Sequence, residues 1–300
     1  MFITNLFYTF VKKLKRIYKK DYLNIFKLIT RMSTTKNEVV NEVNTSKTEQ
    51  TSTTNVTVVK NGGDIEGNTL PLKRLNEKLL YSLMECPSAS KHEYRLVTFI
   101  VLWAKQNGIE YQFDDYGNLY LTKGTLDENE FYPCVTSHLD TVQTKQILYA
   151  KAGAKLDVKT KVQDNKHRIY VDGFGIGGDD KAGLVLCLNM FSYFDKLKAC
   201  FFLEEETGCV GSKHLDLNWF SNVGYVIGYD SPDLNRAAYS CSGTKLMNKE
   251  FFEGNGLDEI CKNHGLVDFR AEPFTDVVQI RQKTDIICMN FGTGYYNCHM

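Results

Sequence analysis

Apolar residues recur at helical steps over 72–84 and again over 94–103, which predicts two amphipathic helices, the second stopped by Asn107 and Gly108. The period then changes. Ile109, Tyr111 and Phe113 alternate with polar neighbours, Asp115 to Asn118 turn the chain, and Leu119, Tyr120 and Leu121 return in a hairpin. Residues 131–137 form a short apolar run, 155–171 alternate as two strands around Asp164 and Asn165, and 184–194 are helical in their apolar content. The runs 199–203 and 223–228 read as buried strands, with further strands at 237–241, 266–270 and 286–291. Strands alternating with helices predict an α/β fold over 69–300: a three-layer domain with a mixed, largely parallel sheet flanked by helices.

Two units precede that domain. Residues 1–31 carry eight Lys and Arg against one acid, Asp21, and Ile3, Phe7, Phe10, Leu14 and Ile17 share one face of a helix. Such a basic amphipathic segment suits a membrane surface or a targeting role. The alternative is a start at Met32, which opens a polar tract that would serve equally well and would put the first 31 residues outside the mature protein. Residues 32–68 are polar and lack aromatics, so they read as a disordered linker.

Composition narrows the function classes. The 300 residues hold 36 Lys and Arg against 36 Asp and Glu, which gives no reason to expect a nucleic-acid partner. Nine cysteines, an odd number with no C-x-x-C pair, read as reduced and mostly buried thiols of a cytoplasmic protein. No run approaches the ~20 apolar residues of a membrane span, and the N-terminus lacks the pattern of a secretory signal.

The candidate chemistry sits where strand-like runs end, the edge at which an open α/β sheet binds ligands. His138 and Asp140 follow the run at 133–136, and an imidazole with a carboxylate two residues on can hold a metal and orient the ring. Asp179 and Asp180 stand in a glycine-rich turn before a helix, where acids also serve as ordinary first-turn residues. Glu204, Glu205 and Glu206 directly follow a buried strand, and three like charges there are costly unless a cation neutralises them. Asp230 closes another strand, and His299 stands near the end of the chain. His92, His167, His214 and His264 read as structural, the last capping a helix C-terminus. Cys209 and Cys298 neighbour the proposed ligands but read as packing residues.

In this order the motifs resemble the co-catalytic di-zinc exopeptidases and amidohydrolases, the group holding peptidase T, carboxypeptidase G and succinyl-diaminopimelate desuccinylase. Similarity is greatest to peptidase T-like aminopeptidases, carried by the Asp-Asp-Lys-Ala-Gly box at 179–183 and the Glu-Glu-Glu-Thr-Gly box at 204–208. The resemblance implies His138 and Asp230 on one metal, Glu206 and His299 on the other, and Asp179 bridging them. Glu205 becomes the general base, and Asp140 fixes the geometry around His138. Two zinc ions, with cobalt or manganese as alternatives, would lie ~3.5–4 Å apart and activate a shared water.

The implied substrate is a small peptide cleaved at its N-terminus. A deacylase acting on N-acyl amino acids, or an inactive relative that binds peptide or metal, are the alternatives. Relatives insert a lid or dimerisation domain between the Asp ligand and the last His. Only 68 residues separate Asp230 from His299, so the resemblance covers the catalytic domain alone and the expected state is a monomer. Relatives also continue beyond the position of His299, so a split or truncated gene and a minimal single-domain form stand as alternatives.

Overall fold

The computed structural model describes residues 76–163, 166–272 and 274–299, together with Thr9, Lys12 and Lys13. Apart from those three residues, the basic segment 1–31 and the linker 32–68 lie outside the described residues.

The first helix, α1 (Glu77–Met84), begins where the Asn76 side chain accepts the Leu79 N–H. The second, α2 (Tyr94–Gln106), ends at Asn107 and Gly108, the latter left-handed at φ 65°. The strands β1 (Glu110–Phe113) and β2 (Leu119–Lys123) pair as the expected antiparallel hairpin. After β3 (Tyr132–His138) come a short helix α3 (Gln146–Lys151), then β4 (Lys159–Gln163) and β5 (Lys166–Tyr170). These last two pair only with each other. Next are α4 (Gly178–Met190), β6 (Leu197–Phe202), β7 (Val223–Ser231), β8 (Arg236–Cys241) and β9 (Thr244–Lys245). The chain closes with α5 (Lys249–Gly254), α6 (Leu257–Asn263), β10 (Asp268–Glu272), α7 (Val277–Thr284) and β11 (Ile287–Gly292).

Nine strands form one mixed sheet in the order β1-β2-β6-β3-β7-β11-β8-β10, with β9 beside β8. Its centre, β6-β3-β7-β11, is parallel throughout. The antiparallel pairs lie toward the flanks. The period of two decides which face each residue buries. Leu119, Leu121, Ala199, Phe201, Tyr225 and Ile227 join one core with α1, α2 and α4. Their neighbours Tyr120, Cys200, Phe202 and Val226 join a second core with Trp219, Phe220 and α7. Helices therefore cover both faces, as the α/β pattern requires.

The segment after Asp230 continues the same sheet through β8, β10 and β11 and returns to it through α7. Three helices, α5, α6 and α7, stand in stretches whose apolar content is less periodic. All nine cysteines are thiols, seven of them buried and only Cys298 exposed. His264 caps α6 as expected, its Nδ1 lying 2.9 Å from the Ile260 carbonyl. Among the described residues no helix is long and apolar enough to cross a membrane.

Candidate metal centre

Because the four central strands run parallel, their C-terminal ends share one edge of the sheet. His138 is the last residue of β3, Asp230 lies one residue before the end of β7, Glu204 to Glu206 follow β6, and His299 follows β11. Asp179 reaches the same edge from the start of α4, where Asp179 and Asp180 are not helical and the peptide between them is cis. Gly183 explains the end of that box: a Cβ there would meet the Tyr229 carbonyl oxygen of β7 at 2.1 Å. Only glycine lets α4 press this closely onto the strand that carries Asp230.

Asp179 stands between two imidazoles. Its Oδ1 is 3.1 Å from His138 Nε2, and its Oδ2 is 3.7 Å from His299 Nε2. Asp230 Oδ1 lies 3.6 Å from His138 Nε2, and Glu206 Oε2 lies 2.9 Å from His299 Nε2. The structure thus brings together His138, Asp179, Glu206, Asp230 and His299. His138 is buried, whereas the His299 side chain is 58% exposed, so the cluster opens to solvent on the His299 side.

Asp180 also lies near His138 and Asp230. Its two oxygens are already used, however: Oδ2 accepts the Ser137 hydroxyl at 2.5 Å and Oδ1 the Gly183 N–H at 2.9 Å. It anchors the start of α4.

Asp140 joins two loops. Its Oδ1 accepts the Glu205 N–H at 2.8 Å and its Oδ2 the Glu206 N–H at 3.2 Å and the Ser90 hydroxyl at 2.7 Å. His138 Nδ1 lies 3.4 Å from the same carboxylate and 3.1 Å from the Asp140 carbonyl, so the ring is held from behind with Nε2 facing the acids. Glu205 accepts the Cys209 thiol on Oε1 at 3.2 Å. Sequence reasoning gave Cys209 a packing role and did not foresee this contact.

The electrostatics ask for a cation. Among the described residues no Lys or Arg pairs with Asp179, Glu206 or Asp230; the histidines are their partners. Lys181, next in sequence, turns away and donates to the Ile176 carbonyl. Burial pushes Glu205 up to about 9 and Glu206 up to about 7, and it also raises Asp180 and Asp230. Burial pulls the His138 ring down, but Asp230, Asp140 and Asp179 outweigh it and hold the ring well above its ordinary value. Glu206 Oε1 is buried with no hydrogen-bond partner. An orphaned carboxylate oxygen among raised acids is costly. Mixed imidazole and carboxylate donors with one such oxygen fit a divalent ion of the zinc type, and a bound cation would relieve the raised values.

Several supporting residues carried no motif. Asn290, buried within β11, accepts the Asp230 N–H at 3.0 Å and donates to the Asp230 carbonyl at 2.7 Å, fixing that strand end. A lone amide inside the apolar run 286–291 was the available signal. The Tyr295 hydroxyl lies 3.4 Å from Asp230 Oδ1. Glu93, buried at the start of α2, accepts the Glu204 N–H at 3.4 Å. A cavity of about 390 Å³ adjoins Asp179 and His299, and the β4–β5 hairpin forms one wall. His167, read from sequence as structural, is part of that wall.

No protein-family model matches the chain. The cytosol non-specific dipeptidase of Escherichia coli (strain K12) is 25% identical over 163 residues, covering 52% of this chain and 33% of the relative. The chain therefore spans about a third of the length of that curated relative. Among solved structures, a tripeptidase from Staphylococcus aureus subsp. aureus Mu50 is similar with a TM-score of 0.55 and 15% identity, over 75% of this chain and 92% of that one. The Pyrococcus horikoshii TET1 peptidase, which can assemble into a tetrahedron or a large octahedral shell, is similar with a TM-score of 0.51 and 13% identity, over 74% and 92%. At these identities the likeness is one of fold, and the fold it describes is that of these peptidases.

Proposed function

We propose that this protein hydrolyses peptide bonds with two bound metal ions, zinc by preference and cobalt or manganese as alternatives, and acts as an aminopeptidase on small peptides. The observation that carries the reading is Asp179, whose two oxygens face two different histidines. A carboxylate so disposed suits a bridge, with His138 and Asp230 toward one ion and Glu206 and His299 toward the other. The orphaned Glu206 Oε1 is a further point in its favour. When bound, such ions polarise the scissile carbonyl and activate a water.

The remaining steps belong to the chain. Glu205 takes up the proton on its carboxylate and passes it to the departing amine. A bound cation would relieve the raised value that burial gives Glu205, leaving its carboxylate ionised to accept the proton. Cys209 occupies Oε1, leaving Oε2 for the proton. Asp140 orients both His138 and the backbone that carries Glu205.

The test is metal counting on the purified protein, then assay of free and N-blocked di- and tripeptides with added zinc, cobalt or manganese. Turnover of free N-termini alone selects the aminopeptidase. Cleavage of N-acyl amino acids instead selects a deacylase, and bound metal without turnover selects a binding protein.

A further inference from the structure

The two histidines of the cluster are held in different ways. His138 ends a central strand, and the Asp140 carboxylate stands behind its ring. His299 lies beyond the end of β11 at Gly292, and among the described residues its ring meets only Glu206 and Asp179, themselves proposed ligands. No described residue orients it from behind as Asp140 orients His138, the support a ligating imidazole ordinarily has. His299 also holds a left-handed φ of 68°, and Asn297 one of 52°. A residue other than glycine keeps such a conformation where its surroundings fix it.

The segment that carries His299 is anchored through its two tyrosines. Thr293 and Gly294 donate their N–H groups to the Ser231 and Asp233 carbonyls at 2.9 and 2.8 Å, and among the described residues the backbone bonds from this segment to the rest of the chain end there. Tyr295 is buried, with its hydroxyl 3.4 Å from Asp230 Oδ1. Tyr296 meets the β4–β5 hairpin instead. The Arg168 guanidinium lies over its ring at 5.1 Å and the Lys166 ammonium at 5.8 Å, while Lys166 Nζ donates to its hydroxyl at 3.4 Å. Lys166 and Arg168 are alternate residues of β5, so one face of the strand presents both cations to the ring. The hairpin pairs with no strand of the main sheet, and every residue of β4 is exposed, so it adds nothing to the sheet or its core through that strand.

We propose that Tyr296 is a positioning residue: the β4–β5 hairpin grips its ring through Lys166 and Arg168 and thereby sets His299 in place as a ligand of the second ion. The inference rests on the two-metal reading of the cluster. The face of an aromatic ring attracts ammonium and guanidinium groups, and two of them hold one ring here. Only Asn297 and Cys298 stand between Tyr296 and His299, so a displaced ring carries the histidine with it. Releasing the grip leaves His138, Asp179 and Asp230 on their own elements, and the two ions therefore respond unequally. A general fault in folding would weaken both alike.

The full chain, stripped with chelator, is titrated with zinc by calorimetry, which reads the two ions without any substrate. Tyr296→Leu is expected to weaken one ion by about tenfold, the size that two exposed cation–π contacts supply, and to leave the other within about twofold. Tyr296→Phe keeps the ring and retains the native affinities, and the Lys166→Gln, Arg168→Gln double variant reproduces the loss. Tyr111→Leu removes a ring that faces Lys105 at 5.3 Å on the edge strand β1 and changes neither ion. Equal weakening of both ions, no weakening, or a loss that the hairpin double variant does not share overturns the proposal. If the native chain takes up fewer than two ions, the two-metal reading fails, and NMR relaxation of the His299 amide in the metal-free chain decides the grip. Mobility raised by Tyr296→Leu and by the hairpin double variant, but not by Tyr296→Phe, upholds it. Unchanged mobility overturns it.

Discussion

The carboxylate of Asp140 accepts the backbone N–H of Glu205 at 2.8 Å. Through this bond the loop after β3 fixes the loop after β6, and the same carboxylate faces the His138 ring. Asparagine at 140 would keep one acceptor oxygen and put an amide donor at the other position, facing either the Glu205 N–H or the Glu206 N–H and the Ser90 hydroxyl. Asp140→Asn is expected to lower stability by about 1–3 kcal/mol, the cost of unsatisfied buried donors. It should also weaken metal affinity or activity by about 10–100-fold, as loss of a ligand-orienting partner does. Thermal melts and chelator competition check the two effects separately, and unchanged metal affinity would remove Asp140 from the site.

Glu205→Gln keeps the size of the side chain and can still meet Cys209, but an amide cannot accept a proton. Turnover should fall by about 10²–10⁴-fold with metal content intact. Activity within a few-fold of the native protein would move the base to Glu204 or defeat the enzyme reading.

How much of this was legible in the sequence depended on whether a residue acts through its neighbours in the chain or through distant ones. The strand ends carrying His138, Glu206 and Asp230 were visible because apolar runs followed by acids are local patterns. The C-terminal segment was legible only as a lone histidine. The clamp of Asn290 on Asp230 joins residues 60 apart, and a single amide in a strand gives no sign of its partner. Likewise, the alternation over 155–171 predicted two strands, yet nothing local showed that they would wall the cavity rather than join the main sheet. Of helices α5 to α7 the sequence marked only the end of α6, through His264, whereas α7 is placed by packing on the central strands β7 and β11. That contact is tertiary and leaves short helices without a clear period.

Asp179 and Asp180 differ by one position and should differ sharply in consequence. Asp179→Ala removes the carboxylate that faces both histidines, so both ions should be lost or much weakened. Asp180→Ala instead leaves the Gly183 N–H without its acceptor and the Ser137 hydroxyl with only the carbonyl of residue 180, costing about 1–3 kcal/mol of stability while metal is retained. Metal analysis after dialysis decides between them. Greater metal loss from Asp180→Ala would show that the ligand is the second acid of the box.

Lys181 gives the fold a pH dependence whose sign follows from its burial. It is 1% exposed, its ammonium donates to the Ile176 carbonyl, and burial lowers it from 10.5 to about 7. Below pH 7 the folded and unfolded chains both hold the proton, and the fold carries the whole penalty of a buried charge. Between pH 7 and 10.5 the unfolded chain binds more protons than the folded one, so this residue's contribution to stability rises with pH. The slope is up to about 1.4 kcal/mol per pH unit. Lys181→Met fills similar volume, loses one hydrogen bond worth about 1 kcal/mol, and removes the titration. The expected result is that the stability of the native protein relative to Lys181→Met increases from pH 7 toward pH 10. Urea midpoints of both proteins, measured in chelator across that range, supply the difference and cancel other titrating groups. A difference independent of pH would mean that Lys181 keeps its ordinary affinity for the proton in the folded chain.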